Sequence, residues 1–353
     1  MGFSAWRTLP LGGIVALQRG FDLANDRRSP GEVPVVGASG VVGWHDVAMV
    51  SGPGVTLGRA GAMGKATYVS RDYWPLNTTL FVTDFLGNDP QFIYYLLHNM
   101  DFTPYNSGGV QPMLNRNYIK DLPVVIPELS EQQAIAEVLG ALDDKIALND
   151  QVREVALCLG RSLLDREVQE AGVVVQLRDV ADLVYGKALP LPSRREGNVP
   201  VFGCTGQVGW HDAPLTDRSY PVIGRKGANA GRVSWMSQPG WVIDTAFYAR
   251  PVWARLKSEA LYFILDAAGI GALIADSAVP GVNRNAALDH KMLMPSPARM
   301  EQFARQASTL LASREHAANE NRTLADLRDT LLPQLLSGKL RVKDAVRTVE
   351  EVV

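Results

Sequence analysis

Two kinds of hydrophobic pattern alternate along the chain. From residue 130 onward, apolar or small residues recur at Ile135, Leu139, Leu142, Ile146, Val152, Ala156, Leu159 and Leu163, and Asn149 occupies one step of the series. The steps alternate mainly between four and three, the seam spacing of a coiled coil. No proline interrupts the run, so ~37 residues predict one helix of ~55 Å at 1.5 Å per residue. Ser130 followed by Gln133 is a capping-box pattern for its start. A weaker seam runs through Met300, Phe303, Ala307, Leu310, Arg314, Ala317, Asn321, Leu324, Arg328 and Leu331. Ser296-Pro297 offers an N-cap with proline in the first turn, while Pro333 and Gly338 are stop signals.

The rest of the chain has no such period. Residues 1–127 and 172–298 carry short β-rich runs such as VPVV, TLFVT, VVVQL and YPVIG, punctuated by Gly52-Pro53-Gly54, Gly87-Asn88-Asp89 and Gln238-Pro239-Gly240. They predict irregular, β-rich globular domains with a few helices, such as Gln91–Met100 and Glu259–Gly269.

The two halves repeat. VPVVGASGVVGWHD (33–46) returns as VPVFGCTGQVGWHD (199–212), identical at 10 of 14 positions. Gly58-Arg59 pairs with Gly224-Arg225, Gly64-Lys65 with Gly231-Arg232, Trp74 with Trp241, and Asn115-Arg116 with Asn283-Arg284. The period, about 168 residues, is far above that of a solenoid, so this is a duplicated domain. The expected order is a β-rich domain (1–127), a long helix (128–171), a second β-rich domain (172–298), a second long helix (299–340) and a tail (341–353). One apolar stripe on a long helix must be buried, and the simplest cover for each helix is the other. The expected fold is therefore α+β, with two repeated domains separated by two antiparallel helices in a dumbbell with a pseudo-two-fold axis.

Composition narrows the function. The chain is 46% hydrophobic and 20% charged, the profile of a soluble globular protein. It lacks a membrane-length apolar stretch and a leader pattern, and it has two cysteines, too few for a disulfide scaffold, so a cytoplasmic location is expected. The net charge of −2 argues against a strongly basic nucleic-acid binder. Charge is uneven, however. Residues 128–171 hold 4 basic and 10 acidic side chains, and without them the chain is +4. The acidic helix suits a protein-docking surface better than a phosphate contact.

Candidate chemistry lies in two glycine-rich turns, GRAGAMGKATY (58–68) and GRKGANAGRVSW (224–235). Glycines permit a tight, projecting backbone. Arginine pairs bidentately with guanine O6 and N7, asparagine suits adenine, and Lys or Arg holds phosphates. The candidates are Arg59 and Lys65 in the first copy and Arg225, Lys226, Asn229 and Arg232 in the second. Arg116 and Arg284 either join them or anchor loops. His45-Asp46 and His211-Asp212 also repeat, but no nucleophile, oxyanion site, Walker loop or methyltransferase motif accompanies them, so they read as turn-stabilising pairs. Trp44, Trp74, Trp210 and Trp241 read as core residues.

The chain resembles a type I restriction-modification specificity subunit. The resemblance rests on Pro127-Glu-Leu-Ser-Glu-Gln-Gln-Ala-Ile-Ala-Glu-Val-Leu-Gly-Ala-Leu-Asp-Asp-Lys-Ile-Ala-Leu-Asn149, on LRDTLLPQLLSGKL (327–340), and on the VPxxGxxG element with its later glycine turn. It covers nearly the whole chain. It implies two target-recognition domains reading a bipartite site in double-stranded DNA, with no catalysis, cofactor or metal in this chain. It implies as partners two modification subunits, which carry S-adenosylmethionine, and a restriction subunit, which uses ATP and Mg. Ile135, Leu139, Leu142, Ile146, Leu159, Leu163, Leu324 and Leu331 are then the helix-seam and docking residues. The chain is short for the family and its second helix is weak. Two other classes stay open: a protein- or glycan-binding scaffold, whose binding would lack the steep salt dependence of DNA contacts, and an enzyme built on the repeated His-Asp.

Overall fold

The computed structural model describes residues 6–273 and 280–352. The chain divides into two compact units, Met1–Ile146 with Arg322–Val353, and Ala147–Asn321.

Unit 1 is built on β1 (Arg7–Pro10), β2 (Ala16–Arg19), β3 (Val33–Gly37), β4 (Gly40–His45), β5 (Gly54–Gly58), β6 (Ala66–Val69), β7 (Trp74–Pro75), β8 (Thr79–Asp84) and β9 (Pro123–Ile126). They form an antiparallel sheet of order β2-β8-β5-β6, a three-stranded sheet β4-β3-β7 and the pair β1-β9. Helix α1 (Pro90–Asn99) lays Phe92, Ile93, Tyr95 and Leu97 into the core. Its cap follows from the sequence: Asp89 accepts the Phe92 amide at 2.8 Å, and Pro90 fills the first turn. A single turn, α2 (Arg116–Ile119), precedes β9.

The long helix α3 runs Leu129–Ala171. It starts ahead of the Ser130/Gln133 capping box, with the Glu131 and Gln132 amides on the Glu128 carbonyl. The glutamine that matters is Gln132, which is buried. Its Oε1 accepts the Asp89 amide at 3.0 Å, and its Nε2 donates to Asn88 Oδ1 and the Pro127 carbonyl. One amide thus clamps the start of α3 to the cap of α1.

Unit 2 repeats the plan: β10 (Gly172–Gln176), the turn α4 (Leu177–Val180), β11 (Ala181–Tyr185), β12 (Val199–Gly203), β13 (Gly206–His211), β14 (Tyr220–Gly224), β15 (Val233–Met236), β16 (Trp241–Val242), β17 (Ala246–Pro251), α5 (Ser258–Ala267), α6 (Arg284–Asp289) and β18 (Lys291–Pro295). The sheets are β11-β17-β14-β15, β13-β12-β16 and β10-β18, strand for strand those of unit 1. The registers align Arg19 opposite Leu80 with Tyr185 opposite Phe247.

The second long helix, α7, runs Pro297–Leu336 with Ser296 at its cap. In unit 1, its last third packs on the first part of α3, so Leu324, Leu331, Leu332 and Leu335 share a core with Ile135, Leu139 and Leu142. Arg328 donates to Asp143 at 2.7 Å across this pairing, and the Tyr95 hydroxyl donates to the same carboxylate at 2.6 Å. In unit 2, the first part of α7 packs on the last part of α3 through Leu164, Met300, Phe303 and Ala307. Arg299 there joins the buried Glu167 at 2.8 Å and Glu170 at 2.6 Å. Within each unit the two helices are therefore antiparallel.

Two sequence expectations need correction here, and the tail acquires a structure. Pro333 does not stop α7; the helix passes through it and ends at Leu336, where Gly338 takes φ +70° and the Leu340 amide reaches back to the Gln334 carbonyl. Residues Leu331, Leu332, Leu335 and Leu336 are buried on both sides of the proline, and that packing outweighs its one lost hydrogen bond. The tail is helix α8 (Val342–Val352), whose Ala345 is buried on the unit 1 core. The seam of α3 also shifts. Ile146 and Leu163 are half-buried, but Leu159 is 45% exposed and Val152 37% exposed. The buried series runs instead through Asn149, Ala156, Gly160, Leu164 and Glu167. Gly160 redirects it, because a Cβ there would stand 2.2 Å from the Phe263 ring of α5. The aromatic ring fills the groove that glycine leaves.

Candidate nucleic-acid interface

Each unit holds an open cleft built from the same elements. The first, about 460 Å³, is lined by Gln18, Arg19, Arg59, Met113, Asn115 and Arg116. The second, about 530 Å³, is lined by Tyr185, Arg225, Lys226, Asn283, Arg284 and Asn285.

The glycine-rich turns make these clefts possible. Gly61 and Gly64 take φ of +88° and +79°, and Gly227 and Gly231 take +98° and +79°. Gly58 and Gly224 are also obligatory: a Cβ would fall 1.9 Å from the Ala62 carbonyl oxygen and 2.3 Å from that of Asn229. The folded-back turn presents the arginine that follows. It is then stitched to the Asn-Arg segment far along the chain. Leu114 donates its amide to the Arg59 carbonyl at 2.8 Å, and Val282 donates to that of Arg225 at 2.9 Å. Antiparallel bridges Ala60–Met113 and Lys226–Gly281 complete the stitch.

Arg59 and Arg116 therefore share one cleft, and Arg225, Lys226 and Arg284 the other. Arg59 donates to the Asn77 carbonyl at 3.4 Å and touches the Met113 sulfur at 3.6 Å. Arg225 donates to the equivalent Asp244 carbonyl at 3.1 Å and sets its guanidinium carbon 4.8 Å from the centre of the Tyr185 ring. Arg116 donates to the Leu17 carbonyl. Arg284 donates to the matching Leu183 carbonyl and also pairs with Asp182 at 2.5 Å. Asn115 and Asn283 cap α2 and α6 through their side-chain oxygens.

Lys65, Arg232 and Asn229 do not line either cleft. Lys65 is exposed on the turn, with its ammonium on the Ser39 carbonyl at 2.7 Å. Arg232 is exposed on the matching turn. Asn229 is half-buried, and its carbonyl closes the turn by accepting the Arg232 amide. Cys204 lies beneath this turn, where burial pushes its thiol pKa up, away from thiolate chemistry. Tyr185 and Asp182 were not legible as site residues. The available signal was that β11 aligns with β2 at an unbroken offset, which brings Tyr185 to the place of Arg19.

The repeated histidines are structural. His45 and His211 are buried; Nδ1 of each accepts a backbone amide at 3.1 Å, from Ser29 and Arg195. Their rings lie 5.4 Å from Trp74 and Trp241 in edge-on contact. The expectation that all four tryptophans are core residues is corrected: Trp44 and Trp210 are 51% and 43% exposed. Strand alternation turns each histidine inward and so turns the preceding tryptophan outward. Among the described residues, no group of three or more His, Cys, Asp or Glu side chains is placed to hold a metal ion, and no helix is long and apolar enough to cross a membrane.

Comparison with known proteins agrees with this architecture. Residues 4–156 match the family described as type I restriction modification DNA specificity domain. A Haemophilus influenzae protein described as a type I restriction enzyme specificity subunit is 25% identical over 133 residues, 34% of this chain. The match spans about a third of that relative's own length. The crystal structure of the type I restriction-modification S subunit from M. genitalium superposes with a TM-score of 0.69 at 18% identity, covering 94% of this chain and 96% of that one. Residues 4–156 thus match the family's DNA specificity domain, and the chain has the fold of that S subunit along its length.

Proposed function

We propose that the chain is the non-catalytic DNA-reading subunit of a type I restriction-modification complex, and that each unit reads one half of a bipartite target. The observation that carries this reading is the duplicated cleft: two arginines in each are held at equivalent positions by equivalent carbonyls. Arg59 and Arg225 are the base readers, where bidentate contact to guanine gives discrimination. Lys65, Lys226 and Arg232 are exposed cations suited to phosphate, which positions without specifying. Arg116, exposed in the first cleft, joins them, and Arg284, paired with Asp182, braces the second.

The scaffolding role rests on α3. Leu148, Val152, Val155 and Leu159 form an exposed stripe at steps of four, three and four, with Val155 62% exposed. This is a second apolar seam, about a quarter-turn round this acidic helix from the buried one. It suits apolar, basic-flanked helices of the two modification subunits, which would bring S-adenosylmethionine. The restriction subunit, with ATP and Mg, would join that assembly.

The test is co-expression with a modification subunit followed by genome-wide base-modification sequencing. A bipartite methylated motif that disappears when this gene is deleted supports the reading. An active methyltransferase complex that leaves no such motif refutes it.

A further inference from the structure

The two clefts are not equivalent, and the difference lies beside the reading arginine. Where the second cleft has Tyr185 against Phe247, the register puts Arg19 against Leu80 in the first. Where the second has Asp182, the first has Ala16. Tyr185 is half exposed at the cleft wall, and its ring packs edge-on to Phe247 with centroids 5.0 Å apart. Phe247 is fully buried, so the tyrosine ring is fixed from behind. The two rings make a corner for Arg225, whose guanidinium carbon lies 4.8 Å from the centre of Tyr185 and 5.8 Å from that of Phe247, while Arg284 lies 6.0 Å from Tyr185. Arg284 is fixed in turn by Asp182, which also pairs with Arg250 at 3.5 Å. Arg225 thus sits against a rigid aromatic surface and a backbone carbonyl, beside a second guanidinium that is itself tied down. Among the described residues, the Arg59 side chain meets the Asn77 carbonyl and a thioether, Met113, on a flexible side chain.

We infer that Tyr185 is a positioning residue for Arg225, and that it makes the second unit a preorganised guanine reader while the first unit reads its base with a looser arginine. This rests on the reading of the clefts given above. The physical reason is that a fork-shaped donor discriminates only while its plane is held; a ring face restricts guanidinium tilt and leaves the edge N–H groups to the base. The contact at a partly exposed site is worth about a two- to fivefold population bias.

The experiment uses the full chain co-expressed with its modification subunit, with base-modification sequencing as the readout. Arg225→Lys first identifies the base pair read by unit 2. At that pair, Tyr185→Leu should weaken the preference for guanine about two- to fivefold, Tyr185→Phe should keep the parent preference because it keeps the ring, and the other half-site should not change in any variant. Tyr185 is half exposed, so truncation leaves the core intact, and the unchanged half-site reports that the subunit is still folded. The inference is overturned if Tyr185→Leu leaves the motif unchanged, if Phe and Leu act alike, if both halves relax together, or if the half-site altered by Arg225→Lys contains no guanine. A parent complex without a bipartite motif refutes the underlying reading instead.

Discussion

Two glycines on one helix should respond oppositely to the same substitution. Gly160 and Gly140 both lie within α3. In an exposed helix interior, Gly→Ala gains about 1 kcal/mol from backbone entropy. At Gly160 the new methyl would meet Phe263 Cε1 at 2.2 Å, Cζ at 2.3 Å and Cδ1 at 3.0 Å. That ring is fully buried and packed edge-on against Phe303 and Tyr262, so it has no room to withdraw. Overpacking a filled core costs about 1–3 kcal/mol, and contact this close belongs at or beyond the upper end. The net expectation for Gly160→Ala is a loss of about 1–2 kcal/mol. For a unit of this size, that lowers the melting temperature by roughly 2–8 °C. At Gly140 the nearest atom is Gln91 Nε2 at 2.4 Å, the tip of a flexible side chain that can swing aside. Gly140→Ala should therefore be neutral or raise the melting temperature by up to roughly 4 °C. Differential scanning calorimetry of the full chain measures both. Adding Phe263→Leu to Gly160→Ala should give a smaller loss than the two changes summed, because the shorter side chain removes the collision. If Gly160→Ala melts at or above the parent temperature, the assignment of the seam to Gly160 is wrong.

Other expectations follow from the same contacts. Arg59→Ala and Arg225→Ala should each relax one half of the methylated motif, by about 1–3 kcal/mol of discrimination at a single base pair, and equal loss in both halves contradicts one unit per half-site. Val155→Asp should keep the melting temperature and reduce co-purification with the modification subunit, whereas Leu142→Asp should damage unit 1 itself because Leu142 is buried. Normal assembly of Val155→Asp removes the exposed stripe as a docking surface. Glu167 is held below the ordinary carboxylate range, first by its hydrogen bond from Arg299 and then by Arg166. A lowered folded-state value means stability that is present above the unfolded pKa and lost as pH falls through the folded one. Parent melting should therefore drop more steeply than that of Glu167→Gln below about pH 4, and parallel curves would show that this pair contributes nothing.

The large features were legible because each rests on a periodic or repeated signal. The duplication, both long helices and the two glycine turns come from spacing alone. The errors share another cause: a partner distant in sequence. Leu159 fits a heptad better than Gly160 does, and only Phe263, a hundred residues on, shows why the glycine is the buried position. Gln133 completes a local capping pattern, yet Gln132 is chosen because Asn88 and Asp89 lie against it. Trp44 is more hydrophobic than His45, but the strand can turn only one of them inward, and the Ser29 amide and the Trp74 ring select the histidine. The clefts were half legible. The turns carry their own glycines, but their union with Asn115-Arg116 and Asn283-Arg284 depends on backbone bonds from Leu114 and Val282, which leave no mark in composition.

The acidic balance then acquires a quantitative meaning. If the clefts engage a duplex as proposed, Arg59 and Arg225 face bases, and Arg284 is already paired with Asp182. That leaves Lys65, Arg116, Lys226 and Arg232 for phosphates, so the chain itself neutralises ~4 charges and log K should fall with log salt at a slope of about −4. The acidic stretch 128–171, with 4 basic and 10 acidic residues, adds nothing to this and opposes close approach of DNA to α3. A complex with modification subunits should show a steeper slope, and the excess over −4 counts the phosphates those partners hold. Filter-binding titrations of the chain and of the complex over a range of potassium chloride measure both slopes. A slope near −8 for the chain alone would mean that phosphate contacts extend well beyond the two clefts and their turns. Equal slopes for chain and complex would mean that the partners do not share the duplex, and the acidic helix would then lack the compensation that makes a net charge of −2 compatible with DNA reading.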